Sequence, residues 1–195
     1  MIDPRLEWWL DALLETPGLT AVTDRAEAYR VHVEGSLAAL PYVERFSGSI
    51  VDVGSGGGSP GIPLATALPD REVTLLEANA RKASFLERVA EHYPNVRVVR
   101  ARAEEHAVDA YGVAAARSLA PPPVAAEWCL PLVYPGGGVV LYVGPTASLD
   151  AVARVASQLG GGEPDLELGV IVIPKVSPTP EGFPRRPGMA RKRPL

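Results

Sequence analysis

Residues 50–63, Ile-Val-Asp-Val-Gly-Ser-Gly-Gly-Gly-Ser-Pro-Gly-Ile-Pro, constrain the fold more than any other stretch of the chain. The β-branched run from Ile50 to Val53 reads as a buried strand, and it passes directly into glycines at 54, 56, 57, 58 and 61. Glycine is required where the main chain takes positive φ, or where a ligand must approach the backbone with no Cβ in the way. Ile62 to Leu68 then reads as a helix with Pro63 in its first turn, where a missing N–H costs nothing. A strand, a glycine loop and a helix N-terminus in this order make a nucleotide cradle.

Spacing separates the ligands such a cradle can take. Gly56 to Gly61 satisfies G-x-G-x-x-G, the dinucleotide pattern, as a string. The match sits late, because the strand ends at Val53 and the turn begins at Gly54. Counted from there, the residues read Asp52-x-Gly54-x-Gly56-x-Gly58, which is similar to the acidic-x-G-x-G-x-G arrangement of S-adenosylmethionine-dependent methyltransferases. The difference has a physical reason. A dinucleotide brings a pyrophosphate that gains from the helix dipole, whereas S-adenosylmethionine carries an ammonium and a sulfonium that favour a carboxylate such as Asp52. An NAD-type enzyme and a glycine-rich turn that binds nothing are the competing readings.

Alternation of strand and helix continues along the chain. Residues 3–15 have an amphipathic helical pattern with Asp3 as N-cap and Pro4 at the first helical position, and a second helix is expected from about Asp24 to Leu40, stopped by Pro41. His32 falls inside it, as a packing or surface residue. Strands are expected at 72–77, 96–100, 111–116, 139–143 and 166–173, and helices at 79–91, 121–130 and 147–159, with a turn at 134–138. This order predicts a doubly wound, Rossmann-like α/β fold with a mainly parallel sheet. The expected division is a helical cap at 1–45, a cofactor-binding core at 46–174 and a tail at 175–195. Glu77 ends the second strand where an α/β nucleotide fold places the carboxylate for ribose hydroxyls, and Ala103 and Glu104 follow the third strand, within reach of an adenine. Arg117 ends the fourth strand and is expected to face the reacting centre. Arg81 and Lys82 oppose the dipole in the first turn of their helix, so something other than helix stability keeps them there.

A length of 195 residues with 47% hydrophobic and 22% charged residues suits one soluble domain. No signal-type N-terminus or membrane-length apolar run is read, and the single cysteine, Cys129, is expected to be buried rather than a metal ligand, so a cytoplasmic protein without metal is expected. The net charge of −4 is unevenly spread: residues 174–195 hold Lys175, Arg185, Arg186, Arg191, Lys192 and Arg193 against Glu181, which leaves −9 on the rest. Six prolines in that segment argue against regular helix and for an extended basic arm, read either as a phosphate-contacting element or as a solvated tail kept for solubility.

With these residues in place, the chain resembles the RsmG (GidB) family of bacterial 16S ribosomal RNA guanine-N7 methyltransferases. The resemblance is carried by Val51 to Pro63, Thr74-Leu-Leu-Glu77, Arg102-Ala-Glu-Glu105, Ala116-Arg-Ser-Leu-Ala120, Ala126 to Leu132 and nearly all of the tail from Lys175. It implies a seven-stranded class I methyltransferase sheet and S-adenosylmethionine as cofactor, contacted by Gly54, by the Ser59 backbone, by Ala103 and Glu104 at the adenosyl end and by Arg117 beside the methyl donor; Asp52, Gly56, Gly58 and Glu77 join them from the motif reading above. It implies 16S rRNA or the small ribosomal subunit as partner, the target loop lying near the decoding centre. Tail residues Arg185, Arg186, Arg191, Lys192 and Arg193 are the expected RNA contacts, and deleting 183–195 is expected to weaken RNA binding while sparing the cofactor. The catalytic residue is not identified; Arg117, as a positioning group, is the best candidate. Four places depart from the family pattern: the N-terminal helix ends in Glu15-Thr-Pro-Gly18 in place of a Trp-Asn-containing end, the final β-hairpin is shortened around Gly160 to Gly169, and two single positions differ. Gly35 replaces an aspartate in His32-Val-Glu-Gly-Ser36, and Val143 replaces a lysine. They keep open the alternative of a cofactor-binding, RNA-associated protein with lost or altered catalysis.

Overall fold

The computed structural model describes residues 3–144 and 147–195, so the first two residues of the expected cap lie outside it. Seven strands form one sheet in the order β3-β2-β1-β4-β5-β7-β6. β1 (Ile50–Val53), β2 (Val73–Leu76), β3 (Val96–Val99), β4 (Tyr111–Arg117) and β5 (Val133–Tyr142) run parallel, while β7 (Val170–Pro174) is antiparallel to β5 and to β6 (Asp165–Glu167). β1 and β2 are buried along their whole lengths, as parallel strands covered on both faces must be.

Side-chain alternation divides the core in two. On one face Ile50, Val73 and Val113 pack with α1 (Pro4–Glu15), α5 (Gly61–Ala67) and α6 (Ala80–Ala90). On the other, Val51, Val53 and Ala114 pack with α7 (Pro122–Cys129) and α8 (Leu149–Gln158), and Cys129 is buried among them. The helices start where their caps allow. Asp3 accepts from the Arg5 N–H at 2.8 Å and Asn79 from the Lys82 N–H at 3.2 Å, each satisfying an amide that the first turn leaves free. β1 and β4 are adjacent while the connections leave them in opposite directions, so their carboxyl ends open a crevice.

Four sequence expectations are corrected. The helix expected over 24–40 is interrupted: α2 (Arg25–Ala28) passes into a π-helical segment, Tyr29–Glu34, then into α3 (Gly35–Leu37). Pro41 does not end it but sits in the first turn of α4 (Leu40–Val43). The turn at 134–138 is a bulge within β5, since Val133 faces Tyr111 and the next paired residue, Gly138, faces Val113. Residues 166–173 are a hairpin rather than one strand, because Leu168 and Gly169 take φ of +47° and +82° and reverse the chain in two residues.

The fourth correction concerns the tail. It is laid against α7, with Phe183 and Leu195 packed on the core of that side, and carries a one-turn helix, α9 (Met189–Lys192), with Ala190 buried. Lys175, counted among the tail cations, is buried at its root. Its Nζ donates to the carbonyls of Leu130 (3.1 Å) and Leu159 (2.7 Å) and to Thr179 Oγ1 (2.9 Å), and Thr179 in turn binds Asp109. Arg185 makes a two-pronged ion pair with buried Glu127 of α7, both contacts 2.6 Å. Such a planar, paired geometry fixes direction as well as charge.

Candidate cofactor and substrate site

A cavity of about 300 Å³ lies at the carboxyl ends of β1 to β4. Its floor is the turn after β1. Gly54 has φ +73°, and a Cβ there would meet Leu119 Cδ1 at 2.4 Å. Glu77 forms one wall. Its Oε2 accepts from the Gly56 N–H at 2.9 Å and its Oε1 from the Asn79 N–H at 2.7 Å. Two main-chain donors therefore fix the carboxylate, and each oxygen keeps lone pairs for a further donor such as a pair of ribose hydroxyls. Ala103 and Glu104, in a 3₁₀ turn after β3 (Ala103–Glu105), line the side beyond Glu77. A flat base fits against the small Ala103 side chain, so the residues present suit an adenosyl group.

The other expected cofactor residues lie elsewhere, and they do different work. Asp52 is fully buried and does not line the cavity. Its Oδ2 accepts from the Gly61 N–H at 3.0 Å while Oδ1 has no partner, and burial pushes its pKa up to about 7. The expected pairing of Asp52 with the cofactor's cations is therefore corrected: the carboxylate holds the start of α5 against β1. Gly56 gives its N–H to Glu77. Gly58 turns toward the N-terminal helices, where an added Cβ would lie 3.0 Å from Trp9 Nε1. Trp9 itself donates to the Gly57 carbonyl at 2.8 Å.

Ser59 also faces away from the cavity, its Oγ 3.1 Å from His32 Nδ1, while His32 Nε2 lies 2.9 Å from Thr20 Oγ1. His32 thus clamps the glycine loop, and its pKa is lowered by burial and then by the Arg117 charge. Arg81 explains its place in α6 by donating to the Pro17 carbonyl, and Lys82 by lining the cavity. These contacts also bear on a dinucleotide. The Gly61 N–H that would meet a pyrophosphate is already taken by a carboxylate, and the loop before it is packed against Trp9 and His32.

Arg117 lies outside this cavity and lines two neighbouring hollows, of about 460 and 580 Å³, with Tyr142 and Val143. Ser118 joins the first hollow to the cavity, at a φ of +53° that a non-glycine residue adopts only at a cost of about 1–3 kcal/mol. Arg117 Nη1 donates to the Val31 carbonyl at 2.7 Å, in the π-helical segment, and reaches Ser36 Oγ at 3.4 Å. A Cβ added at Gly35 would lie 3.6 Å from Arg117 Nη2, so an aspartate there would abut the guanidinium; glycine leaves that side of it open. Tyr142 OH donates to the Ser36 carbonyl at 2.6 Å, and burial raises its pKa.

Sequence reasoning missed the far wall of the cavity, formed by Trp128 of α7 with Gly188 and Arg191 of the tail. No local signal marks it, because it depends on the tail folding back.

Sheet order, the antiparallel β7, the glycine turn and the fixed acid at the end of β2 together define a class I, Rossmann-like methyltransferase fold. A solved geranyl diphosphate methyltransferase, determined with GPP and sinefungin, superposes with a TM-score of 0.59 at 16% identity over 80% of this chain and 68% of its own. The particular family follows from the sequence. Residues 7–159 match the family described as rRNA small subunit methyltransferase G, and the chain belongs to it. Two relatives bearing the name ribosomal RNA small subunit methyltransferase G come from Moorella thermoacetica and Synechococcus elongatus. They are 36% and 37% identical to it, each over 91% of this chain and 82% of the relative.

Proposed function

We propose that this chain methylates 16S ribosomal RNA, transferring the methyl group of S-adenosylmethionine to N7 of a guanine. The observation that carries the cofactor reading is the Glu77 carboxylate, held by two main-chain N–H groups at the edge of a cavity floored by Gly54 and flanked by Ala103. The family to which the chain belongs supports the RNA substrate. When bound, S-adenosylmethionine supplies an electrophilic methyl group on a sulfonium.

Guanine N7 presents an in-plane lone pair and carries no proton, so the acceptor needs no general base. The hollow beside the cavity suits that demand. Among its described residues are Arg117, Ser118, Tyr142 and Val143, and none is a carboxylate or an imidazole. The protein's task is then to place one group against another, which is worth on the order of 7–11 kcal/mol at best. Glu77 orients the ribose, the small Ala103 admits the base, and Ser118 marks the passage between cavity and hollow. Arg117, braced by Val31 and Ser36, offers its remaining N–H groups to the O6 side of a guanine or to a nearby phosphate.

Calorimetry with S-adenosylmethionine and with NAD tests the cofactor half: micromolar binding of the first and none of the second is expected, and the reverse would overturn it. For the RNA half, labelled methyl groups are followed into small-subunit particles that lack the modification. Gly35 and Val143, which flank Arg117, favour a second reading in which cofactor binding survives without transfer; binding with no labelled RNA would select it.

A further inference from the structure

Three observations place the C-terminal segment at the cofactor cavity rather than only on an RNA-facing surface. Gly188 and Arg191 line the cavity opposite Gly54 and Leu76. The Gly188 N–H donates to Glu104 Oε1 at 3.0 Å, so the acid expected to read an adenine edge also holds the tail. The Arg191 guanidinium lies 5.1 Å from the Trp128 ring centroid and donates to the Leu119 carbonyl at 3.3 Å, bridging the two side walls. Trp128 adds a fourth. It lines the same cavity and supplies the ring on which the Arg191 guanidinium lies.

We infer that Gly188 to Arg191 form the outer wall of the S-adenosylmethionine site, with Arg191 and Trp128 closing its adenosyl end. The inference rests on the reading of this cavity as the cofactor site. Arg191 contributes as a planar cation beside an aromatic face, a geometry that a lysine does not reproduce. It also reverses an expectation from the sequence, since removing residues 183–195 strips a wall from the cavity and cannot spare the cofactor.

The test is titration of the full-length protein with S-adenosylmethionine, by calorimetry and by tryptophan emission. Arg191→Ala should weaken binding about tenfold and Arg191→Lys at least threefold, whereas Arg154→Ala, an equal loss of charge at an exposed position of α8, should leave affinity unchanged. In the unaltered protein, saturating S-adenosylmethionine should slow tryptic cleavage after Arg191 and Lys192 severalfold, a readout that needs no variant. Affinities of both Arg191 variants within twofold of the parent, with cleavage indifferent to the cofactor, would overturn the inference while leaving the cofactor site in place. No binding by the parent protein would remove both.

Discussion

A buried carboxylate with one oxygen unpartnered makes Asp52 a source of pH-dependent stability. Its pKa in the folded protein is raised to about 7 by burial, well above the 3.8 of a free side chain. Stability from this group is therefore fully present below pH 3.8 and is lost as pH rises toward 7, where the buried charge forms. His32 runs the other way. Burial lowers its pKa, so its contribution is lost as pH falls below the ordinary imidazole value of about 6.5. Asp52→Asn keeps an acceptor for the Gly61 N–H and removes the first effect. Its melting temperature should rise between pH 5 and 7 and then level, with a gain over the parent that grows from about pH 4 to pH 7 and is constant above that; profiles that stay parallel would contradict the burial of charge at 52. Arg117 supplies the second test at this scale. Arg117→Ala should cut methyl transfer about 100-fold while cofactor affinity stays within twofold, because it lines the hollows and not the cavity. Equal losses in both would place it on the cofactor.

Elements become rigid here through single contacts made over long sequence distances. The Glu127–Arg185 pair ties α7 to the tail, and Arg185 adds a bond to the Arg193 carbonyl at 2.9 Å. Glu127→Ala would leave a largely buried guanidinium unpaired, at a cost of about 3 kcal/mol, and should expose the tail to protease before the core unfolds. Tail cleavage no faster than in the parent would contradict that anchoring. The same dependence on distant partners explains what could be read from the sequence. β1 to β5 and helices α1 and α5 to α8 were legible, since their apolar periods and caps are local. Leu168 concealed the β6–β7 hairpin, because positive φ at that turn usually falls to glycine or asparagine. Which glycines face the ligand could not be read, because Trp9 and His32 come from far away in sequence to claim Gly57 and Ser59. The π-helical segment has no sequence mark that we can identify; it presents the Val31 carbonyl to Arg117.

On the scale of the whole molecule, an acidic body carries a basic strap that is docked rather than free. Lys175 and Arg185 are consumed in docking it, which leaves Arg186, Lys192 and Arg193 exposed for phosphate contact. Replacing these three by alanine should lower the slope of log affinity against log salt by about 2 for single-stranded RNA, at roughly 0.7 per phosphate contact. An unchanged slope would take the strap off the RNA surface. No helix among the described residues is long and apolar enough to cross a membrane. The central claim, methyl transfer to a ribosomal guanine, is tested most directly by mapping the product. Small-subunit particles lacking the modification are incubated with the protein and S-adenosylmethionine, and their RNA is cleaved chemically at N7-methylguanine. The account predicts cleavage at a single guanine of 16S rRNA that disappears with Arg117→Ala; a protein that binds S-adenosylmethionine yet methylates no RNA, or methylates a base other than guanine, would contradict it.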